Sequence, residues 1–187
     1  MVPKSKLLGK PSLIFVTVGS TNFKFDRLFF FIEKTLLSLK SNTKLIVQTG
    51  PSDYKWTYKN IKIKKYLLPY EISLFYSKAD RIIIHGGFGS LFLLSKNAKV
   101  MPLILPRLRK YREHVNNHQK NFLTFLKNKS PKKLKKYFVD SEFIEKPILK
   151  YIKHIPQKNY IDVLIFSENN KKQLLEQLEQ YINFIKN

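Results

Sequence analysis

Three unbroken apolar runs, each stopped by glycine, constrain this chain more than any other feature. They are Ser12–Val18 (SLIFVTV, before Gly19-Ser20), Thr43–Thr49 (TKLIVQT, before Gly50-Pro51) and Arg81–His85 (RIIIH, before Gly86-Gly87). A strand covered on both faces has no solvent side, so its sequence is continuous rather than alternating. A fourth such strand is predicted at Met101–Leu105, and a weaker one at Lys59–Leu67, where Ile61 and Ile63 alternate. Helical signals fall between them. Asp26 can cap a helix to about Lys40, with Leu28, Phe31, Ile32, Thr35 and Leu36 on one face. Pro69–Ala79, Ser90–Asn97 and His114–Lys127 supply three more. Strands and helices alternating at this spacing predict an α/β fold built on a parallel, doubly wound sheet with right-handed crossovers.

At 187 residues the chain fits one domain of ordinary size. Residues 1–130 carry the alternating pattern, and residues 131–187 are expected to form a basic linker and helical extension packing on the same domain or on a partner. Lys127–Lys136 (KNKSPKKLKK) predicts a solvated loop, Tyr137–Val139 a short strand and Glu142–Tyr151 a helical turn. Leu174, Leu175, Leu178, Tyr181, Ile182 and Ile185 then recur at helical spacing and predict a closing amphipathic helix. Cysteine is absent, which excludes disulfides, thiolate metal sites and cysteine nucleophiles. The apolar run Leu13–Val18 behind Lys4, Lys6 and Lys10 is shorter than a signal-peptide core or a membrane span. A soluble, cytoplasmic protein is expected.

Lys and Arg number 35 against 13 Asp and Glu, a formal charge of +22. Such charge points to nucleic acid, an anionic membrane surface or phosphate-bearing substrates. Thirty of the cations are lysine, and with 13 asparagines this also fits the residue bias of an AT-rich genome. Three of the five arginines fall at 107, 109 and 112, and the arginine fork suits phosphate oxygens.

Two turns and one loop carry the chemistry. In RIIIHGGFGS (81–90), Gly86, Gly87 and Gly89 lead from a strand into a helix whose first amides could face an anion. The spacing is neither G-x-G-x-x-G nor a P-loop, and a tight turn needs glycine with or without a ligand. Gly19-Ser20-Thr21 would lie at the same carboxyl-terminal sheet edge, where open α/β sheets bind ligands. PRLRKYREHVNNHQ (106–119) leaves the fourth strand there too. Glu113, His114 and His118 match no metal motif, so no metal is assigned. Capping and local hydrogen bonding is the competing role for this cluster.

Together VTVGSTNFKFDRL (16–28), RIIIHGGFGSLFLL (81–94) and AKVMPLILPRLRKYREHVNNHQ (98–119) resemble the glycosyltransferase family 28 C-terminal domain. The likeness is to its short, stand-alone (PssE-like) forms in exopolysaccharide and capsule synthesis, and it covers residues 12–127 best. The resemblance implies a Rossmann-like lobe, one half of a GT-B enzyme, that holds a UDP-sugar. It implies that Gly86, Gly87, Gly89 and Ser90 cradle the diphosphate, with His85 beside them, and that Gly19 and Ser20 face the cleft between lobes. Glu113, His114, His118 and Gln119 would lie by the diphosphate and sugar, and Arg107 could neutralise phosphate charge. The glutamate that holds the ribose in many relatives has no counterpart at Phe92, Leu93 or Leu94.

An inverting transfer to a polyprenyl-diphosphate-linked sugar follows from the same resemblance. No cofactor is expected, and Glu113, His114 and His85 are the candidate bases, unless the base comes from the other lobe. A GT-B enzyme needs two lobes and this length accommodates one. The resemblance therefore implies a membrane-anchored, acceptor-binding (PssD-like) partner and a peripheral position at the inner face of the membrane. The rivals are a basic nucleic-acid-binding protein, disfavoured because the cations are spread and no binding module appears, and a non-catalytic enhancer subunit.

Overall fold

The structure, a computed structural model, describes residues 11–161 with Leu164, Lys172 and Glu176. The three apolar runs become the three central strands: β1 (Leu13–Thr17), β2 (Lys44–Gln48) and β4 (Arg81–His85). β3 (Ile61–Lys64) and β5 (Leu103–Leu105) flank them. All pairings are parallel, in the order β3-β2-β1-β4-β5. Register pairs Val16 with Val47 on one side and with Ile83 on the other. The chain winds outward from β1 to β3, then returns to β4 on β1's other side. The β1–β4 boundary is therefore the topological switch point, where the outgoing loops diverge and leave a crevice.

Helices α1 (Asp26–Ser38), α2 (Pro69–Lys78), α3 (Phe88–Asn97), α4 (His118–Lys129) and α5 (Glu145–Lys153) cover the sheet. α1 buries Leu28, Phe29, Ile32 and Leu36, which pack with Ile14, Phe15, Val16 and Ile82–Ile84 in one apolar core. Full burial of one such side chain stabilises by about 1.5–3 kcal/mol, so the central strands dominate the fold's stability. α5 packs against α1. The Tyr151 hydroxyl accepts from Ile82 N (3.0 Å) and donates to Met101 O (2.8 Å), and Arg81 Nε donates to Tyr151 O (3.0 Å).

The β2–β3 crossover contains no helix. Buried Glu33 on α1 organises it instead, accepting from Tyr54 Oη (2.7 Å), Thr57 N (2.5 Å), Thr57 Oγ1 (3.1 Å) and Tyr58 N (2.7 Å). Trp56 packs on Phe29. Burial works to raise the Glu33 pKa, but these hydrogen bonds leave it below the ordinary glutamate value.

Three expectations need correction. α4 begins at His118, four residues late, and runs on to Lys129. Ahead of it, side chains take the local amides, His114 Nδ1 that of Val115 and Asn116 Oδ1 that of His118, in place of helical bonding. The Tyr137–Val139 strand reduces to one parallel bridge, Phe138 with Ile104, behind a 3-10 turn at Lys135–Tyr137. The basic segment is not wholly solvated, because Ser130 and Leu134 are buried. The closing helix expected over Leu174–Ile185 lies outside the described residues.

Candidate functional site

Four loops meet at the carboxyl-terminal edge around the switch point. Residues 18–25 follow β1, 49–53 follow β2, 86–87 follow β4 and 106–117 follow β5. Glycine is required where the first and third approach one another. Gly19 has φ +71°, and a Cβ there would lie 2.6 Å from His85 Cε1; a Cβ on Gly87 would lie 2.3 Å from His85 Nε2. The His85 imidazole is thus a wedge between the two turns. It is buried, and desolvation followed by the nearby Arg107 charge pushes its pKa down to about 3, so it is neutral at pH 7. Gly50 (φ +57°) packs on Gly19 O, and Phe25 N donates to Ser52 Oγ (2.9 Å), which fixes the second loop to the first.

α3 starts at this point. Its N-cap residue is Gly87, no side chain caps the first turn, and a Cβ on Gly89 would meet nothing within 4 Å. Amides Phe88 to Ser90 therefore sit at a helix start beneath open space, with the positive end of the helix dipole behind them. Ser20 and Gly89 are exposed, Gly19 and Ser90 half-buried.

Buried charges set the β5–α4 loop. Arg107, 0 % exposed, donates through Nη2 to Val18 O (2.7 Å) and through Nη1 to Phe23 O (2.8 Å), Lys24 O (3.0 Å) and Glu113 O (3.3 Å). Its backbone N donates to Gln119 Oε1 (3.1 Å). Burial lowers the Arg107 pKa to about 10, with Glu113 acting against the shift; the guanidinium stays charged. Glu113 is buried and takes a bidentate pair from Arg27, Nε to Oε1 and Nη2 to Oε2 at 2.8 Å each, and accepts from Leu108 N (2.9 Å). Arg27 also donates to Pro106 O (3.3 Å) and Glu142 O (3.1 Å).

The loop thus joins α1, the β1–α1 turn and residue 142 into one rigid piece. Arg107, Glu113 and Gln119 thus hold the wall of the crevice, while the buried Arg107 Nε has no hydrogen-bond partner among the described residues. The phosphate-neutralising role expected of Arg107 and the base role considered for Glu113 therefore compete with these structural contacts.

His114 stacks on Phe23 (ring centroids 5.3 Å) and meets His118 edge-on (4.5 Å). Val115 N donates to His114 Nδ1 (2.9 Å), which places the proton of the neutral ring on Nε2. Desolvation, then Arg107, lowers the His114 pKa. Desolvation, then His114, brings His118 to about 4. His118 Nδ1 is bonded to Asn116 Oδ1, which also accepts from His118 N (3.1 Å). All three site histidines are therefore neutral at pH 7, where they can hydrogen-bond but carry no charge. Among the described residues no group of His, Asp and Glu side chains is arranged to hold a metal ion.

Sequence reasoning missed Arg27 and Phe23. Neither had a readable signal, because their partners Glu113 and His114 lie far along the chain and belong to another loop.

Comparison with known proteins adds the following. A family model described as the glycosyltransferase family 28 C-terminal domain matches residues 13–178. No curated protein matches. Among solved structures, the chain is similar to the glycosyltransferase SnogD from Streptomyces nogalater at 16 % identity and a TM-score of 0.36, over 83 % of this chain and 42 % of that one. The chain thus spans less than half the length of that protein.

Proposed function

The chain belongs to the glycosyltransferase family 28 C-terminal domain family, and from that premise we propose that it is the lobe that binds a UDP-sugar donor in a GT-B glycosyltransferase. The observation that carries this reading is the uncapped start of α3 beneath open space, at the switch point and flanked by Gly19 and Gly87. The diphosphate sits over amides 88–90. There the helix start stabilises the charge that grows on UDP as its bond to the sugar breaks, with no metal required. Ser20 and Ser90 border the same opening.

The acceptor hydroxyl attacks the anomeric carbon from the opposite face, UDP leaves with the bonding pair, and configuration inverts. The hydroxyl proton goes to a base of the facing lobe, because Glu113 is paired with Arg27, the His114 lone pair on Nδ1 accepts from Val115 N, and His85 is sealed under two turns. A single lobe transfers poorly alone. The resemblance to the short, stand-alone forms supports a partner subunit that carries the acceptor-binding lobe at the cytoplasmic face of the membrane, and a polyprenyl-diphosphate-linked sugar in cell-surface polysaccharide synthesis as acceptor.

Calorimetric titration with UDP, ADP and a short RNA at physiological salt tests the donor assignment. Saturable UDP binding that ADP does not match is expected. Gly89→Asp should weaken it at least about tenfold by placing a carboxylate at the helix start, without unfolding the chain, since its Cβ meets nothing. Tight RNA binding without uridine preference, or full UDP affinity in Gly89→Asp, would overturn the proposal.

A further inference from the structure

Away from the switch point, the segment 135–141 and α5 enclose a cavity of about 440 Å³, of the size that takes a small molecule. Its floor is apolar and aromatic, formed by Tyr137, Phe138, Pro147 and Tyr151. Its rim carries Lys135, Lys136, Lys146 and Lys150. The acidic side chains of this region are already engaged by other cations. Asp140 accepts from Lys127 (2.7 Å), Glu142 is held by Lys110 and Tyr111, and Glu145 pairs with Lys34 (2.7 Å). None of the four rim lysines has a carboxylate partner among the described residues.

Two large apolar side chains stand out of the surface here: Ile155 lines the cavity, and Phe143 lies in the chain between the lining residues Ser141 and Lys146. Phe143 is 77 % exposed and Ile155 60 % exposed. Uncompensated lysines around an apolar hollow, with apolar side chains standing out next to them, complement an interface that is anionic outside and hydrocarbon inside. A phosphodiester chain would answer the lysines but leave the apolar hollow without a complement.

We infer that this cavity and its rim are a docking surface for an anionic phospholipid bilayer. The rim lysines hold lipid phosphates, Phe143 and Ile155 enter the interface, and the cavity takes the upper part of one lipid. The surface is independent of the donor site, and neither reading depends on the other.

The test is co-sedimentation of the full chain at physiological salt with phosphatidylcholine vesicles and with vesicles in which phosphatidylglycerol replaces part of the phosphatidylcholine. Binding at least tenfold tighter to the anionic vesicles is expected. The combined Lys135→Glu, Lys136→Glu, Lys146→Glu and Lys150→Glu variant should lose at least about tenfold of it. A charge-matched control, Lys55→Glu, Lys59→Glu, Lys62→Glu and Lys64→Glu on the far side of the sheet, should stay within about threefold of the parent. Phe143→Ser with Ile155→Ser, which leaves the charge unchanged, should weaken binding about fivefold. Equal loss in the control, no preference for anionic lipid, displacement of the vesicles by a short RNA or by inorganic phosphate, or no effect of the apolar pair would each overturn the inference.

Discussion

Two stretches of irregular backbone, the β2–β3 crossover and the β5–α4 loop, are each organised by one buried glutamate, but in opposite chemical styles. Glu33 is satisfied by neutral donors, two hydroxyls and two backbone amides, all within residues 54–58. Glu113 is satisfied chiefly by a charge, the Arg27 guanidinium, which itself reaches two further carbonyls. The first arrangement settles one loop against one helix. The second ties α1, the loop after β5 and residue 142 together. A carboxylate held by neutral donors is a local fastener, whereas a charge pair recruits every neighbour needed to keep two ions out of water.

The comparison breaks most visibly by deleting each carboxylate. Glu113→Ala strands the Arg27 charge and should cost about 3–5 kcal/mol in urea unfolding, with loss of UDP binding as the wall of the crevice relaxes. Glu33→Ala leaves two amides and two hydroxyls without their acceptor and should cost about 2–3 kcal/mol, with UDP affinity within about twofold of the parent at temperatures where both are folded. Equal loss of UDP binding in the two variants would show that the distinction is not real.

Replacing both ions sharpens the contrast. Arg27→Met with Glu113→Leu should be less destabilised than Glu113→Ala alone, by roughly 1–3 kcal/mol, because no unpaired ion remains. A double variant no more stable than Glu113→Ala would mean that the Arg27 bonds to carbonyls matter more than the pair.

Acid provides a subtler probe of the neutral-donor style. The Glu33 pKa in the folded chain lies below its ordinary 4.5. Its contribution is therefore full above about pH 4.5, and shrinks as pH falls further and the unfolded chain takes up the proton first. The stability gap between parent and Glu33→Gln should narrow on acidification through that range, measured as urea midpoints. A gap that widens would reverse the sign. The smallest effect is expected at Lys24–Asp53, an exposed pair at 3.2 Å near both loops. Asp53→Asn should change stability by no more than about 0.5 kcal/mol, as exposed pairs do.

How much of this was legible follows from which residues act locally. β1, β2 and β4 were readable because double-sided burial leaves its mark in consecutive residues, and the glycines that end them fixed the switch point. The helix-less crossover was not, since Glu33 looks like any solvent-facing glutamate until Tyr54, Thr57 and Tyr58 fold over it. The start of α4 was misplaced for a related reason. Residues 113–117 have ordinary helical spacing, but Arg27 claims Glu113 from another element and Asn116 Oδ1 takes the His118 amide. At the site, Gly19, Gly87 and His85 stood out in sequence, but the contact that joins them did not. The wall-building roles of Arg107 and Gln119 depend on carbonyls and amides, which carry no sequence signal at all.

The wedge formed by His85 has a consequence for how this sequence can drift. One ring fills the gap between two turns that come from separate parts of the chain, so it acts as a shim whose thickness sets their separation. Thickening either turn by a single methyl calls for a thinner shim, and thinning the shim leaves a slot that only a side chain at 19 or 87 could fill. Positions 19, 85 and 87 should therefore change together or not at all, as one three-part joint shared between distant segments.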